Sequence, residues 1–283
     1  MAVTANTLHP QGVTVHSFSD SGTSQSVRLT SRMGKVYSVA SQKGGTGKSS
    51  TSISLAAGLA RRGERILLID TDSQANSSKV LIPEYQNLKK EDTIYTTIIE
   101  RQPLPILETS VPNLDIVASH ILLSQTDITL TTAIDHRESR LKNALDVIKD
   151  QYAYVIIDCP PALSWLTINA LTASDYIVVA ISPGYFELES TIQITRTIGE
   201  VRSYFNPDLI LRGFLFTMND PTINSKNSLL LLRQTYPEQV LNTVIPRNVD
   251  LKDANMAKQD IFSYDPNSKA ALAYQQLIQE LFS

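Results

Sequence analysis

The residues best suited to chemistry lie in one run, Lys43-Gly44-Gly45-Thr46-Gly47-Lys48-Ser49. Glycines let consecutive backbone N–H groups turn inward and approach an anion with no Cβ in the way. Lys48 would bring a full positive charge to the β- and γ-phosphates of a nucleotide, and the Ser49 hydroxyl is placed to ligate Mg²⁺. Carboxylates stand at the ends of two apolar runs: Asp70, with Asp72 just beyond it, and Asp158. Apolar runs of this kind suit buried parallel strands, whose C-terminal ends face a bound nucleotide. Asp158 therefore fits a Walker B role, holding Mg²⁺ directly or through water.

Those side chains need a scaffold, and the flanking sequence supplies one. A β-branched run, Val36 to Ala40, feeds the glycine turn. The following segment carries Ile53, Leu55, Ala56, Leu59 and Ala60 on an apolar helical face, with its N-terminal dipole aimed at the same anion. A second buried strand covers 65–70, completing a strand–loop–helix–strand unit. Further strands are expected at 114–118, 154–158, 176–181, 211–218 and 240–245. Helices are expected near 93–100, over 137–149 (Leu141, Leu145 and Ile148 at helical spacing), after a lead-in at 183–189 as far as about 204, and over 268–281 with Leu272, Leu277 and Leu281 on one face. Residues 73–76 read as a polar loop beside the γ-phosphate, 81–107 as irregular, and 162–165 as a second switch-like loop. Six to seven strands alternating with helices predict an α/β fold: a doubly wound, mostly parallel twisted sheet with helices on both faces.

The chain has 283 residues, 42% of them hydrophobic, and a net charge of −3, so any nucleic-acid contact must come from a local patch. Residues 1–33, rich in Ser, Thr and Gln, read as a flexible N-terminal arm, and 34–283 as one domain. The single cysteine, Cys159, allows no internal disulfide and suits a reducing cytosol. No apolar run is long enough to span a membrane, and the N-terminus lacks the layout of a signal peptide, so a cytoplasmic location is expected. Trp165, Tyr185 and Phe186 read as core aromatics at strand ends. Lys226, Arg233, Lys252, Lys258 and Lys269 are the basic candidates for non-specific DNA, which a dimer would gather into one stripe.

The K-G-G-x-G-K-S form places Gln42 where the general phosphate-loop pattern wants glycine, and adds Lys43. In this it resembles the deviant Walker A box of the ParA/MinD ATPases. The resemblance, to ParA/Soj-type partition ATPases in particular, extends over roughly 35–282 through LLIDTDSQAN, VIIDCPP, SPGYFELES, FTMND and TVIPRN. It implies ATP and Mg²⁺ as cofactors, an ATP-sandwich homodimer, non-specific nucleoid DNA, and a ParB-like partner that stimulates slow hydrolysis. By the same resemblance Lys43 crosses to the partner's nucleotide, Lys48 is the Walker lysine, and Gly44, Gly45, Thr46 and Gly47 complete the ATP loop. Ser49 binds Mg²⁺ and Ser50 contacts the α-phosphate. Asp72 orients the attacking water, Asp70 and Asp158 stabilise the metal sphere, Met218, Pro246, Arg247 and Asn248 grip adenine, and Glu187 reaches the nucleotide across the dimer. Two departures stand out: Asp250 replaces a basic residue after IPRN-V, and Ser73 replaces the proline of Asp-Pro-Gln. The first weakens transfer of the family's DNA-contact residues. The same motifs would serve a positioner of protein cargo such as a microcompartment. A MinD-like membrane regulator fits less well, because QQLIQELFS carries no lysine or arginine. Iron–sulfur relatives need more than one cysteine.

Overall fold

Unbroken Val/Ile/Leu runs are stable as strands only where both faces of the sheet are covered. The computed structural model, which describes residues 34–184 and 187–283 without the side chains of 187–189, places them that way. The expected N-terminal arm and the aromatics Tyr185 and Phe186 lie outside the described residues.

Eight strands form one sheet among the described residues: β1 (Lys35–Ala40), β2 (Ile66–Asp70), β3 (Ile106–Glu108), β4 (Leu114–Val117), β5 (Tyr154–Asp158), β6 (Tyr176–Ile181), β7 (Ile210–Asn219) and β8 (Val240–Pro246). Their spatial order is β3-β4-β2-β5-β1-β6-β7-β8, with β3 antiparallel to β4 and the other described pairs parallel. The helices are α1 (Lys48–Ala60), α2 (Asn76–Leu81), α3 (Ile94–Glu100), α4 (Thr126–Thr132), α5 (Arg140–Asp146), α6 (Trp165–Thr172), α7 (Glu187–Tyr204), α8 (Ile223–Thr235), α9 (Val249–Met256), α10 (Ile261–Tyr264) and α11 (Lys269–Phe282).

Alternation along each strand divides the core in two. Ile66, Leu68 and Ile156 point to the side packed by α1 and α11, while Leu67, Ile69, Val155 and Ile157 meet Ile98 of α3, Leu145 of α5, Ala170 of α6 and Ile198 of α7. Both faces of the sheet are thus covered by helices. Gly58 permits the close approach of α1 to α11, since a Cβ there would lie 2.3 Å from Ile278 Cδ1. At the end of the sheet remote from the glycine loop, Phe282 of α11 sits 4.6 Å from the Tyr37 ring and 4.9 Å from the Tyr154 ring, centroid to centroid.

Three expectations need correction. The sheet has one strand more than the larger count, because β3 is only three residues long and pairs at an edge. The helix expected over 137–149 narrows to Arg140–Asp146. Leu272 is 48% exposed: five positions from Leu277, it turns off the face on which Leu277, Ile278 and Leu281 are buried.

Candidate active site

Strand register brings the chemistry together. Asp70 and Asp158 are direct partners at the C-terminal ends of β2 and β5, and Val39 of β1 pairs with Asp158 just before the glycine loop begins. The loop then turns through two left-handed glycines, Gly45 (φ 75°) and Gly47 (φ 77°), and Gly47 caps α1. Ser41 braces it from within, its hydroxyl accepting from the Lys43 amide at 3.2 Å and from Thr46 Oγ1 at 2.8 Å. Thr217 of β7 donates to the Thr46 carbonyl at 2.8 Å. A Cβ built on Gly44 or Gly45 would meet no atom within 4 Å, so the space before the loop is open, as a phosphate cradle requires. Lys48 is 5% exposed and its Nζ rests 3.3 Å from the Lys43 carbonyl.

Asp70 and Asp158 are fully buried and Asp72 nearly so. Asp158 accepts from Ser77 Oγ at 2.7 Å on Oδ2 and from Ser52 Oγ at 3.2 Å on Oδ1, and the Ser49 hydroxyl is near enough to favour its charged form. Burial raises its pKa, against the pull of those hydroxyls and of Lys48. Asp70 is pushed up to about 8, first by burial and then by the charge of Asp158. Both Asp70 oxygens are engaged: Oδ1 by the Asp72 amide at 3.1 Å, and Oδ2 by the Ser78 amide at 2.9 Å and hydroxyl at 2.7 Å. Asp158 thus reaches the Ser49 hydroxyl, while the described bonds of Asp70 run to Asp72 and α2. Asp72 begins a turn in which its Oδ1 accepts from the Gln74 amide at 2.9 Å.

No cluster of three or more His, Cys, Asp or Glu suited to a metal occurs among the described residues. The arrangement fits an ion such as Mg²⁺, which takes one or two protein oxygens and completes its shell with water and substrate phosphates. Buried carboxylates beside a single hydroxyl ligand, with an open anion cradle next to them, supply that partial set.

Gly47 and Ser50 also line a cavity of about 280 Å³, whose walls include Met218, Pro246, Arg247 and Asn248. The four residues expected at a base are therefore gathered at the mouth of the glycine loop. Met218 stands at φ 50°, and Arg247 pairs with Asp220 at 3.8 Å. Leu251, Asn255 and Tyr274, absent from the sequence reading, share these walls, and Tyr274 Oη lies 3.1 Å from Thr51 Oγ1. A larger cavity, about 420 Å³, opens between α3 and α5, but none of the residues above line it. The phosphate cradle is open-fronted, so volume is a poor guide to it.

Other expected residues scatter. Lys226 and Arg233 lie on α8 and Lys269 begins α11. Lys252 lines the 280 Å³ cavity, and Lys258 Nζ donates to the Pro83 carbonyl at 3.0 Å. Glu187 opens α7, its side chain outside the described residues. Trp165 is engaged internally: its Nε1 donates to Thr131 Oγ1 at 3.2 Å and the Arg137 guanidinium lies 4.0 Å above its ring. Cys159 is fully buried, and burial followed by the charge of Asp158 pushes its thiol up to about 12, leaving it inert. Ser77 and Ser78 carry no signal in the sequence, since only the tertiary structure shows which carboxylate each meets.

A family model described as an AAA domain matches residues 34–211. The chain is 40% identical over 252 residues to the sporulation initiation inhibitor protein Soj of Bacillus subtilis, covering 88% of this chain and 98% of that protein. It is 36% identical over 252 residues to the chromosome partitioning protein ParA of Myxococcus xanthus, covering 88% of each. A solved structure of cobyrinic acid a,c-diamide synthase from Mycobacterium smegmatis, with bound ATP analog and magnesium, matches at a TM-score of 0.73 and 30% identity, over 87% of this chain and 93% of that one.

Proposed function

We propose, on the premise that this chain belongs to the ParA/MinD family of P-loop ATPases, that it is a DNA-partition ATPase working as an ATP-sandwich dimer. In this reading residues 34–283 form the ATPase domain, ATP-bound dimers hold non-specific DNA, and a ParB-like partner stimulates the hydrolysis that releases them. The observation that carries it is the continuity of the glycine loop with a base-sized cavity through Gly47 and Ser50, beside the buried carboxylates.

Phosphoryl transfer is mostly positioning and charge neutralisation. Lys48 and the loop amides hold the β- and γ-phosphates, and Ser49 and Asp158 hold the magnesium side. Magnesium, when bound, neutralises phosphate charge and fixes the phosphates' geometry. Asp72 orders the attacking water without being a strong base. Lys43 of each subunit supplies charge to the other's nucleotide.

The membrane-regulator alternative gets no support from α11, which spends Leu277, Ile278, Leu281 and Phe282 on the core and so offers those side chains to no membrane. Among the described residues no helix is long and apolar enough to cross a membrane. Light scattering with ATP and Mg²⁺ tests the dimer. The wild type should double in mass and Lys43→Ala should stay monomeric while still binding a fluorescent ATP analogue. Dimerisation unchanged in Lys43→Ala would overturn the cross-subunit role.

A further inference from the structure

The first turn of α2 presents two adjacent, fully buried hydroxyls to two different carboxylates. Ser77 Oγ donates to Asp158 Oδ2 and Ser78 Oγ to Asp70 Oδ2, each at 2.7 Å. The other side-chain hydroxyl that donates to the Asp158 carboxylate, Ser52 Oγ on Oδ1, belongs to α1. Ser77 therefore grips the carboxylate from the opposite side, one oxygen being held by α1 and the other by α2. α2 itself continues directly from the turn that begins at Asp72, where the Ala75 amide donates to the Asp72 carbonyl at 2.8 Å. A second tie closes the same unit: Ser119 Oγ donates to the Asp72 carbonyl at 2.5 Å, and the Ser119 amide donates to Ser78 Oγ at 2.9 Å.

We infer that Ser77 is a positioning residue: it fixes the Asp158 carboxylate toward the magnesium side of the site and ties that carboxylate to the turn carrying Asp72. The inference rests on the reading of Asp158 given above. Partners that orient a metal-side carboxylate are worth about 10–100-fold in metal affinity. Ser77 adds no charge to the site, since its neutral hydroxyl donates to the carboxylate and fixes its plane.

The test is a Mg²⁺ titration of fluorescent ATP-analogue binding, read without hydrolysis, alongside thermal denaturation. Ser77→Ala should raise the Mg²⁺ midpoint about tenfold, and Ser77→Thr, which keeps the hydroxyl, should return it toward the wild-type value. A purely structural serine would lower the melting temperature of Ser77→Ala with the Mg²⁺ midpoint unmoved, and that result overturns the inference. Asp158→Asn separates the two levels. If it shifts the midpoint and Ser77→Ala does not, only the role of Ser77 fails; if Asp158→Asn leaves it in place, the reading of Asp158 fails and the inference with it. Should Ser77→Ala not fold, Ser77→Cys, of similar size and a far weaker donor, carries the same expectation.

Discussion

Gly47 shows how much one residue can fix. Its left-handed backbone starts α1, and nothing blocks a side chain there, the nearest contact for a Cβ being Thr217 Cβ at 3.8 Å. The cost of Gly47→Ala is therefore backbone strain, roughly 1–2 kcal/mol, and not a clash. Thermal denaturation should show a Tm lower by a few degrees, with nucleotide affinity falling further because the loop amides re-aim. Lys48, Ser49 and Asp158 were legible in the sequence because their spacing within or just after an apolar run is itself the signal. Tyr274 and Asn255 were not, because they reach the cavity from helices more than 200 residues along the chain from the glycine loop. Asp70 was legible as a strand-end carboxylate, but only the structure shows its oxygens already committed to Asp72 and Ser78.

Elements follow the same division. β1, β2, β5 and β6 were readable because burial on both faces demands continuous apolar residues. α2 was not: NSSKVL has no helical period, and the carboxylates it caps are contributed by other strands. α8 hides its nature in a run of four leucines of which only Leu232 is fully buried. α11 was expected, but its second task was not. Glu280 accepts from the Asn242 amide at 2.7 Å and the Thr243 amide at 2.9 Å, covering outward-facing donors of the edge strand β8. Burial alone would raise the Glu280 pKa, but those bonds outweigh it and hold the carboxyl below its usual range. Because the folded carboxyl ionises more readily than the unfolded one, its contribution is full above about pH 4.3 and fades as the pH falls lower. The melting temperatures of the wild type and Glu280→Gln should therefore differ at neutral pH and converge near pH 3. A gap that persists undiminished in acid would remove the ionic contribution.

At the scale of the whole molecule, a net charge of −3 means that DNA is held by local cations or not at all. Lys258 is already occupied by Pro83, and Lys252 borders the 280 Å³ cavity, which leaves Lys269 at the start of α11 and the pair Lys226 and Arg233, which share α8 and are the two to test together. DNA retention by the ATP-loaded protein should weaken steeply with salt. Replacing both by Ala should reduce the slope of log K against log salt by about 2. A salt-independent affinity would rule out phosphate contacts as its source.

The chain contains one tryptophan, Trp165, and it begins α6 immediately after the segment that leaves Asp158. Its ring lies under Arg137, its backbone amide donates to Asp127 at 3.0 Å, and its indole donates to Thr131. The unlabelled protein therefore carries an intrinsic fluorophore at the joint between the loop that follows Asp158 and α4. A shift of that loop on nucleotide binding would change what surrounds the excited ring, and the emission of the unlabelled protein would then report it.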